Sequence, residues 1–313
     1  MASGIAPHQR GEGRRRNSRE LPVPADTPRR ARLAGHMTPA RAVAAGHRTP
    51  NVSGDAMTRL HLVAVAEDLE CYTPATGNPV LSEAKLIYDE IFGRNSYLRA
   101  LEPIEPTGLI VDAGANIGLF TLFVKQRFPR VCVIAIEPMP QTVAALRANI
   151  RLHGLTDVTV HEEGLADRAG TTQFYFFPAM PGNSTAYLDV KLKDRETIAT
   201  YATPAVAEQV YRYEAVSVPV RPLSQILRES AARHDDIELL KIDIEGGEAA
   251  ALDGIADDDW PRIKRVVMEV HESEHALGSV LDKLRSKGFE THAQPPDRSA
   301  SGIDNRIVLA VRT

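Results

Sequence analysis

From Leu109 to the C-terminus the apolar residues follow two alternating rhythms: short unbroken runs, and longer stretches in which they recur every three or four positions. LIVDAG precedes LFTLFVKQRF, VCVIAIEP precedes PQTVAALRANIRLHG, ELLKIDIEG precedes EAAALDGI, and IKRVVMEVH precedes SVLDKLRSKGF; VTVHEEG is a further short run. An unbroken apolar run leaves no polar face for water, so the strands it predicts are covered on both sides. Alternating with helices, such strands predict an α/β, Rossmann-like fold with a mostly parallel sheet and helices on both faces. GFETHA and NRIVLAVRT, the last two runs, predict an antiparallel edge pair.

Ahead of this domain (109–313), residues 57–108 read as a lead-in. RLHLVAVAEDLECYT alternates apolar and polar residues as a strand or hairpin does, and TPATGNP turns the chain. SEAKLIYDEIFGRNSYLRAL predicts a helix capped by Ser82, with Leu86, Ile87, Ile91 and Phe92 at helical spacing and a stop at Gly93. Residues 1–56 are a different material, rich in Arg, Pro, Gly and Ala, and predict a disordered basic arm. Because ordered sequence starts just after Met57, this arm also reads as an upstream extension of the true start. Between about 171 and 223 the rhythm breaks: TQFYFF is strand-like, PAMPGNST turns, and a polar stretch with one helix-like piece, TPAVAEQVYRYE, leads to VSVPVRPL. A connection this long predicts a substrate-side insertion rather than a simple loop.

Composition narrows the function classes. The chain of 313 residues is 43% hydrophobic and carries a formal charge of -4, which supplies no general attraction for nucleic acid. The arginine clusters of the arm are read as a solvated tail. Cys71 and Cys132 are too few for a disulfide framework or a cysteine-built zinc site and suit a reducing, cytoplasmic setting. No apolar run is long enough to span a bilayer, so a membrane partner is not expected; a homo-oligomer is compatible with the sequence.

In an open α/β sheet, ligands lie across the carboxyl ends of the strands, which makes DAGANIG the first turn to inspect. Gly114 and Gly118 give GxxxG rather than GxGxxG, and Asp112 would oppose a pyrophosphate, so the turn suits a cationic ligand better than NAD. Strand two ends in Glu137, 25 positions after Asp112, near the interval at which an acid accepts from ribose hydroxyls. Singly, the glycines could serve only helix packing and Glu137 could be a solvated strand end. In this order they describe a pocket for a nucleoside with a cationic, amino-acid-like tail, as in S-adenosylmethionine.

VDAGANIGLFTLF, AIEPMPQTVAALRANI, GLADRAGTTQFY and LLKIDIEGGEAAALDGI resemble the FkbM family of S-adenosylmethionine-dependent methyltransferases, from about Glu83 to the C-terminus. EAKLIYDEIFGRNSYL is similar to the lead-in of members that act with polyketide and peptide assembly lines. The resemblance implies a class I methyltransferase fold and O-methylation of a secondary metabolite, a sugar or a lipid-linked glycan. It also implies that Asp112, Gly114, Asn116 and Gly118 line the methionine part of the cofactor, that Glu137 holds the ribose, and that Glu163 and Gly164 lie near the adenine. Gly164 stands where the family commonly has alanine.

Transfer to a hydroxyl requires an aligned acceptor and a group to take its proton. Asp243, at the end of strand four, is the first candidate for that base, with Glu245 orienting or replacing it. Glu269 and His271, ending strand five on the same rim, leave three readings open: His271 as base, a divalent cation held by Asp243, Glu269 and His271, or a plain polar strand end. The expected acceptor is a small natural product (polyketide, peptide or sugar-containing), free or tethered to a carrier protein. An N-methyltransferase on a peptide or RNA base is the rival, disfavoured by DIEG where an aromatic-proline tetrad would stand. A non-catalytic module that binds the cofactor or a carrier protein is the other, disfavoured by the pair Asp243 and Glu245.

Overall fold

The computed structural model describes residues 59–75, 83–94, 97, 100, 107–230, 236–271, 274–295 and 305–313. The expected arm over 1–56 and the expected cap at Ser82 lie outside the described residues. In the lead-in, β1 (Leu60–Ala66) pairs antiparallel with β2 (Leu69–Pro74), and its inward residues Val65, Leu69 and Cys71 are buried while Leu62 faces out. The Asn149 amide ties this hairpin down: its Oδ1 accepts from Tyr72 N at 2.6 Å, and its Nδ2 donates to Tyr72 O at 2.9 Å and to Ile117 O at 2.8 Å. Helix α1 (Glu83–Tyr88) runs on into a π-helical turn, Asp89–Gly93, the kind of local widening often found beside functional sites.

The alternation then proceeds as expected: β3 (Leu109–Ala113), α2 (Leu119–Arg127), β4 (Cys132–Ile136), α3 (Pro140–Leu152) and β5 (Val158–His161). A short β6 (Gly164–Leu165) and β7 (Gly170–Phe176) follow, then α4 (Leu188–Tyr201), α5 (Pro204–Val210), β8 (Glu214–Arg221) and α6 (Leu223–Glu229). The chain returns through β9 (Ile237–Ile242), α7 (Glu248–Asp253), β10 (Arg265–Val270), α8 (Glu274–Ser286), β11 (Phe289–Ala293) and β12 (Arg306–Arg312).

The main sheet has the order β11-β12-β10-β9-β3-β4-β5, parallel except that β12 runs antiparallel to both β10 and β11. After β3 the chain builds outward through β4 and β5 and then returns to β3's other side as β9. Strand order therefore reverses at β3, where a crevice opens beyond the strand ends. The central strands are buried on both faces because each carries apolar residues on both: Ile110, Leu239 and Val267 pack toward α2 and the β1–β2 hairpin, whereas Val111, Leu240 and Met268 pack toward α6, α7 and α8.

The insertion is its own small sheet, β6-β8-β7, with β7 and β8 antiparallel and α4 and α5 between them. Here one expectation needs correcting: the polar stretch before α5 is itself a helix, α4. Its inward face is an ion pair between buried Lys191 and Asp194 at 3.1 Å, with Val190, rather than an apolar stripe, so no hydrophobic period announces it.

Leu239 is fully buried in β9, in register with Ile110. Leu239→Ala is expected to lower the unfolding free energy by about 2–5 kcal/mol through lost burial and the cavity left behind, as read by urea titration; a loss under about 1 kcal/mol would contradict this account of the core.

Candidate functional site

A cavity of about 550 Å3 opens over the carboxyl ends of β3, β4 and β9 and is roofed by α1 and the insertion. The turn after β3 makes its floor. Gly114 has φ +77, and a Cβ there would lie 1.7 Å from the carbonyl oxygen of Asp243, so only glycine lets this turn pass so close to the end of β9. Gly114 N and Ala115 N both donate to Ile136 O at 3.0 Å, fixing the turn against β4. Asn116, also left-handed at φ 48, lines the cavity, and its buried Oδ1 has no hydrogen-bond partner.

Two of the expected contact residues lie outside the cavity lining. The Asp112 carboxylate is fully buried beneath the turn, where Oδ2 accepts from Thr121 Oγ1 at 2.7 Å and Oδ1 lies 3.3 Å from Lys241 Nζ. It faces an internal ammonium instead of a bound cation. Gly118, with φ +90, packs on α3, where an added Cβ would meet Leu146 Cδ1 at 2.6 Å; helix packing is its visible task. Glu137 does line the cavity, with one oxygen accepting from Asn116 N at 2.9 Å and the other from Met139 N at 3.0 Å, which fixes the carboxylate at the end of β4. Glu163 and Gly164 line it too. Glu163 is gripped by the Arg221 guanidinium, while a Cβ on Gly164 would sit 3.0 Å from Phe174 Cζ and 3.2 Å from Val220 Cγ1. The crowding of the insertion's sheet over this strand is a physical reason for glycine there.

Lys241, on β9, is the hub beneath the cavity. Its buried Nζ donates to Gly114 O at 2.7 Å and lies 3.3 Å from Asp112 and 3.5 Å from Asp243. Burial works against its charge, but Asp112 and Asp243 more than offset that and hold its pKa above the ordinary lysine value.

Past β9 the backbone swings through left-handed Glu245 (φ 60) and Gly246 (φ 104). Glu245 Oε2 lies 2.5 Å from Lys191 Nζ and 3.0 Å from His271 Nε2. Burial opposes the charge of Glu245, but these two cations hold its carboxyl well below the usual range. The other His271 nitrogen, Nδ1, lies 3.3 Å from Glu248. Burial disfavours the imidazolium, yet the surrounding carboxylates keep its pKa well above 6.5. Asp243, Glu269 and His271 each bring one donor atom within 4.8 Å of the others, so the structure unites the three rim residues. Asp243, its side chain 26% exposed, also lies 3.5 Å from the Tyr97 hydroxyl, and Glu269 accepts from Asn305 Nδ2 at 2.7 Å.

Sequence reading missed Glu83, Glu90, Tyr97, Lys191, Glu248 and Asn305, all but Glu248 lining the cavity. A signal existed for two of them: Glu83 and Glu90 are seven apart on α1 and its π turn, so they share a face with Leu86 and Ile87, an acidic intrusion into an apolar stripe. Tyr187 and Tyr211 of the insertion also line the cavity, whereas Tyr213 stacks edge-on against Tyr175 and Phe177.

The Methyltransferase FkbM domain matches residues 112–291. Methyltransferase 1 of Beauveria bassiana (strain ARSEF 2860) is 31% identical over 82% of this chain and 100% of its own. The 31-O-demethyl-FK506 methyltransferase FkbM of Streptomyces tacrolimicus is 36% identical over 74% of this chain and 91% of its own. Among solved structures, a methyltransferase FkbM from Methylobacillus flagellatus KT is 16% identical, covering 71% of this chain and 47% of its own with a TM-score of 0.47. No helix among the described residues is long and apolar enough to cross a membrane.

The crowded carboxyls impose a pH dependence. Burial pushes Glu83 from 4.5 up to about 8, Glu137 to about 7 and Glu269 to about 8. A carboxyl whose folded pKa is raised binds its proton more tightly when folded. Its stabilising contribution is therefore full below about 4.5 and is lost as pH climbs through the folded value. The unfolding midpoint of the ligand-free protein should fall between about pH 5 and 8, and should fall less in Glu83→Gln; parallel profiles for the two proteins would refute the assignment.

Proposed function

The chain belongs to the FkbM family of S-adenosylmethionine-dependent methyltransferases, and on that premise we propose that it methylates a hydroxyl oxygen of a small secondary metabolite. The observation that carries the choice of oxygen is Asp243. Its backbone carbonyl abuts Gly114 so closely that a Cβ there could not fit, and its side chain lines the same cavity. A carboxylate beside the glycine turn is placed to accept a proton from an acceptor held next to the donor.

The residues suit the cofactor. The orphaned Oδ1 of Asn116 offers an acceptor to an ammonium or hydroxyl, the Gly114 turn leaves room for the methionine part, and Glu137 presents a fixed carboxylate to the ribose. Glu163 and Gly164 then border the adenine. When bound, S-adenosylmethionine would supply an electrophilic methyl group to the acceptor oxygen, its sulfur keeping the electron pair of the S–CH3 bond. Asp243 takes the hydroxyl proton, Glu245 holds the rim together through Lys191 and His271, and the roof from α1 and the insertion sheds water. Leu86, Ile198, Ala202, Val206 and Val210 also border the cavity, an apolar frame suited to an acceptor with a hydrophobic body. The Streptomyces relative is named for an O-demethyl substrate, which agrees in kind.

In calorimetric titrations with S-adenosylmethionine, Gly114→Val should lose binding while wild type binds; equal affinity would remove the turn from the site. Asp243→Asn should bind the cofactor as wild type does but turn over roughly a hundredfold or more slowly. Wild-type turnover in that variant would exclude Asp243 as the base.

A further inference from the structure

Resting on the methyl-transfer reading for its role but not for its existence, we propose that Asp243, Glu269 and His271 form a site for one hard divalent cation of the Mg2+ or Mn2+ class. Three features of the geometry carry it. First, one donor atom from each residue falls within 4.8 Å of the other two, a spread that a single ion at roughly 2.0–2.6 Å from each can bridge. The donors come from the ends of two adjacent parallel strands, β9 and β10, which pair directly and hold their separation.

Second, the donors are oriented from behind. His271 is 3% exposed, and Glu248 stands 3.3 Å behind Nδ1, leaving Nε2 turned toward Glu245 at 3.0 Å and Glu269 at 3.6 Å. That carboxylate–imidazole pair is the usual support behind a metal-bound histidine, fixing both its tautomer and its ring plane. Asn305 Nδ2 donates to Glu269 Oε1 at 2.7 Å and does the same for the carboxylate.

Third, among the described residues the cations at this rim are already shared. Asp243, Glu245 and Glu269 all border one cavity, whereas Lys191 serves both Glu245 and Asp194, and Lys241 both Asp112 and Asp243. A cation would sit among Asp243, Glu269 and His271, with the remaining coordination positions open to water and the acceptor. Two carboxylates and one imidazole favour Mg2+ or Mn2+ over the thiolate-seeking metals. An acceptor hydroxyl on the same ion would be acidified beside Asp243, which then takes its proton through the oxygen not committed to the metal.

The test uses the full chain, stripped with a chelator and titrated with MnCl2, with free Mn2+ followed by electron paramagnetic resonance. One equivalent should disappear from the free signal. Asp243→Asn and Glu269→Gln, near-isosteric changes, should each weaken binding at least tenfold, and Glu248→Gln, whose side chain stands behind His271 and keeps an oxygen able to accept from Gly246 N, by about 10- to 100-fold. A free signal undiminished at equimolar Mn2+, or three variants that bind as wild type does, overturns the site. Cofactor calorimetry on the same samples separates the two readings. Mn2+ binding without S-adenosylmethionine binding keeps the cation and sinks methyl transfer; full turnover after chelation keeps methyl transfer and sinks the cation.

Discussion

The buried ammonium of Lys241 joins the two halves of the site. It stands under the turn that follows β3, holding that turn through the Gly114 carbonyl and neutralising Asp112, and it reaches Asp243 on its own strand. Two chain segments more than a hundred residues apart are thereby locked at the point where the sheet reverses its strand order. A buried charge pair of this kind adds little net stability, since desolvation of both ions cancels most of their attraction, but removing one partner leaves the other stranded. Its value here is positional, because the turn proposed to hold the cofactor and the carboxylate proposed to take the proton share one cation.

Above that floor the cavity is closed by polar links to less regular parts of the chain. Gly182 N donates to Glu83 at 2.8 Å, joining insertion to lead-in, while Thr185 Oγ1 donates to the Glu245 carbonyl at 2.5 Å and Lys191 reaches the Glu245 side chain. The roof is thus pinned to the end of β9 by contacts that converge on Glu245, whose left-handed backbone presents both its carbonyl and its carboxylate to the insertion. Such a roof covers the cavity while leaving apolar residues along its border.

Most of the sheet was legible because burial on both faces writes unbroken apolar runs into the sequence, and each run became the expected strand. The glycine turn, Glu137 and the rim of Asp243, Glu269 and His271 were legible for a different reason: they sit at strand ends, where polar residues interrupt an apolar pattern. Helix α4 was not, because its buried face is the Lys191–Asp194 ion pair, and periodicity registers only apolar burial. Asp112 misled, since its acidity was matched to a ligand when Lys241, 129 positions later, was its partner. Tyr97 and Asn305 had no local signal at all, as each reaches the site from a segment whose own pattern says nothing of it.

The account turns on Lys241 fixing the cofactor turn to the fourth strand. The most direct measurement is a calorimetric titration of S-adenosylmethionine into Lys241→Met, which keeps the length of the side chain and removes its charge, alongside wild type. A folded variant that binds at least tenfold more weakly is the predicted result. Unchanged affinity would mean that the turn holds its shape without the buried cation, and the central claim would fail.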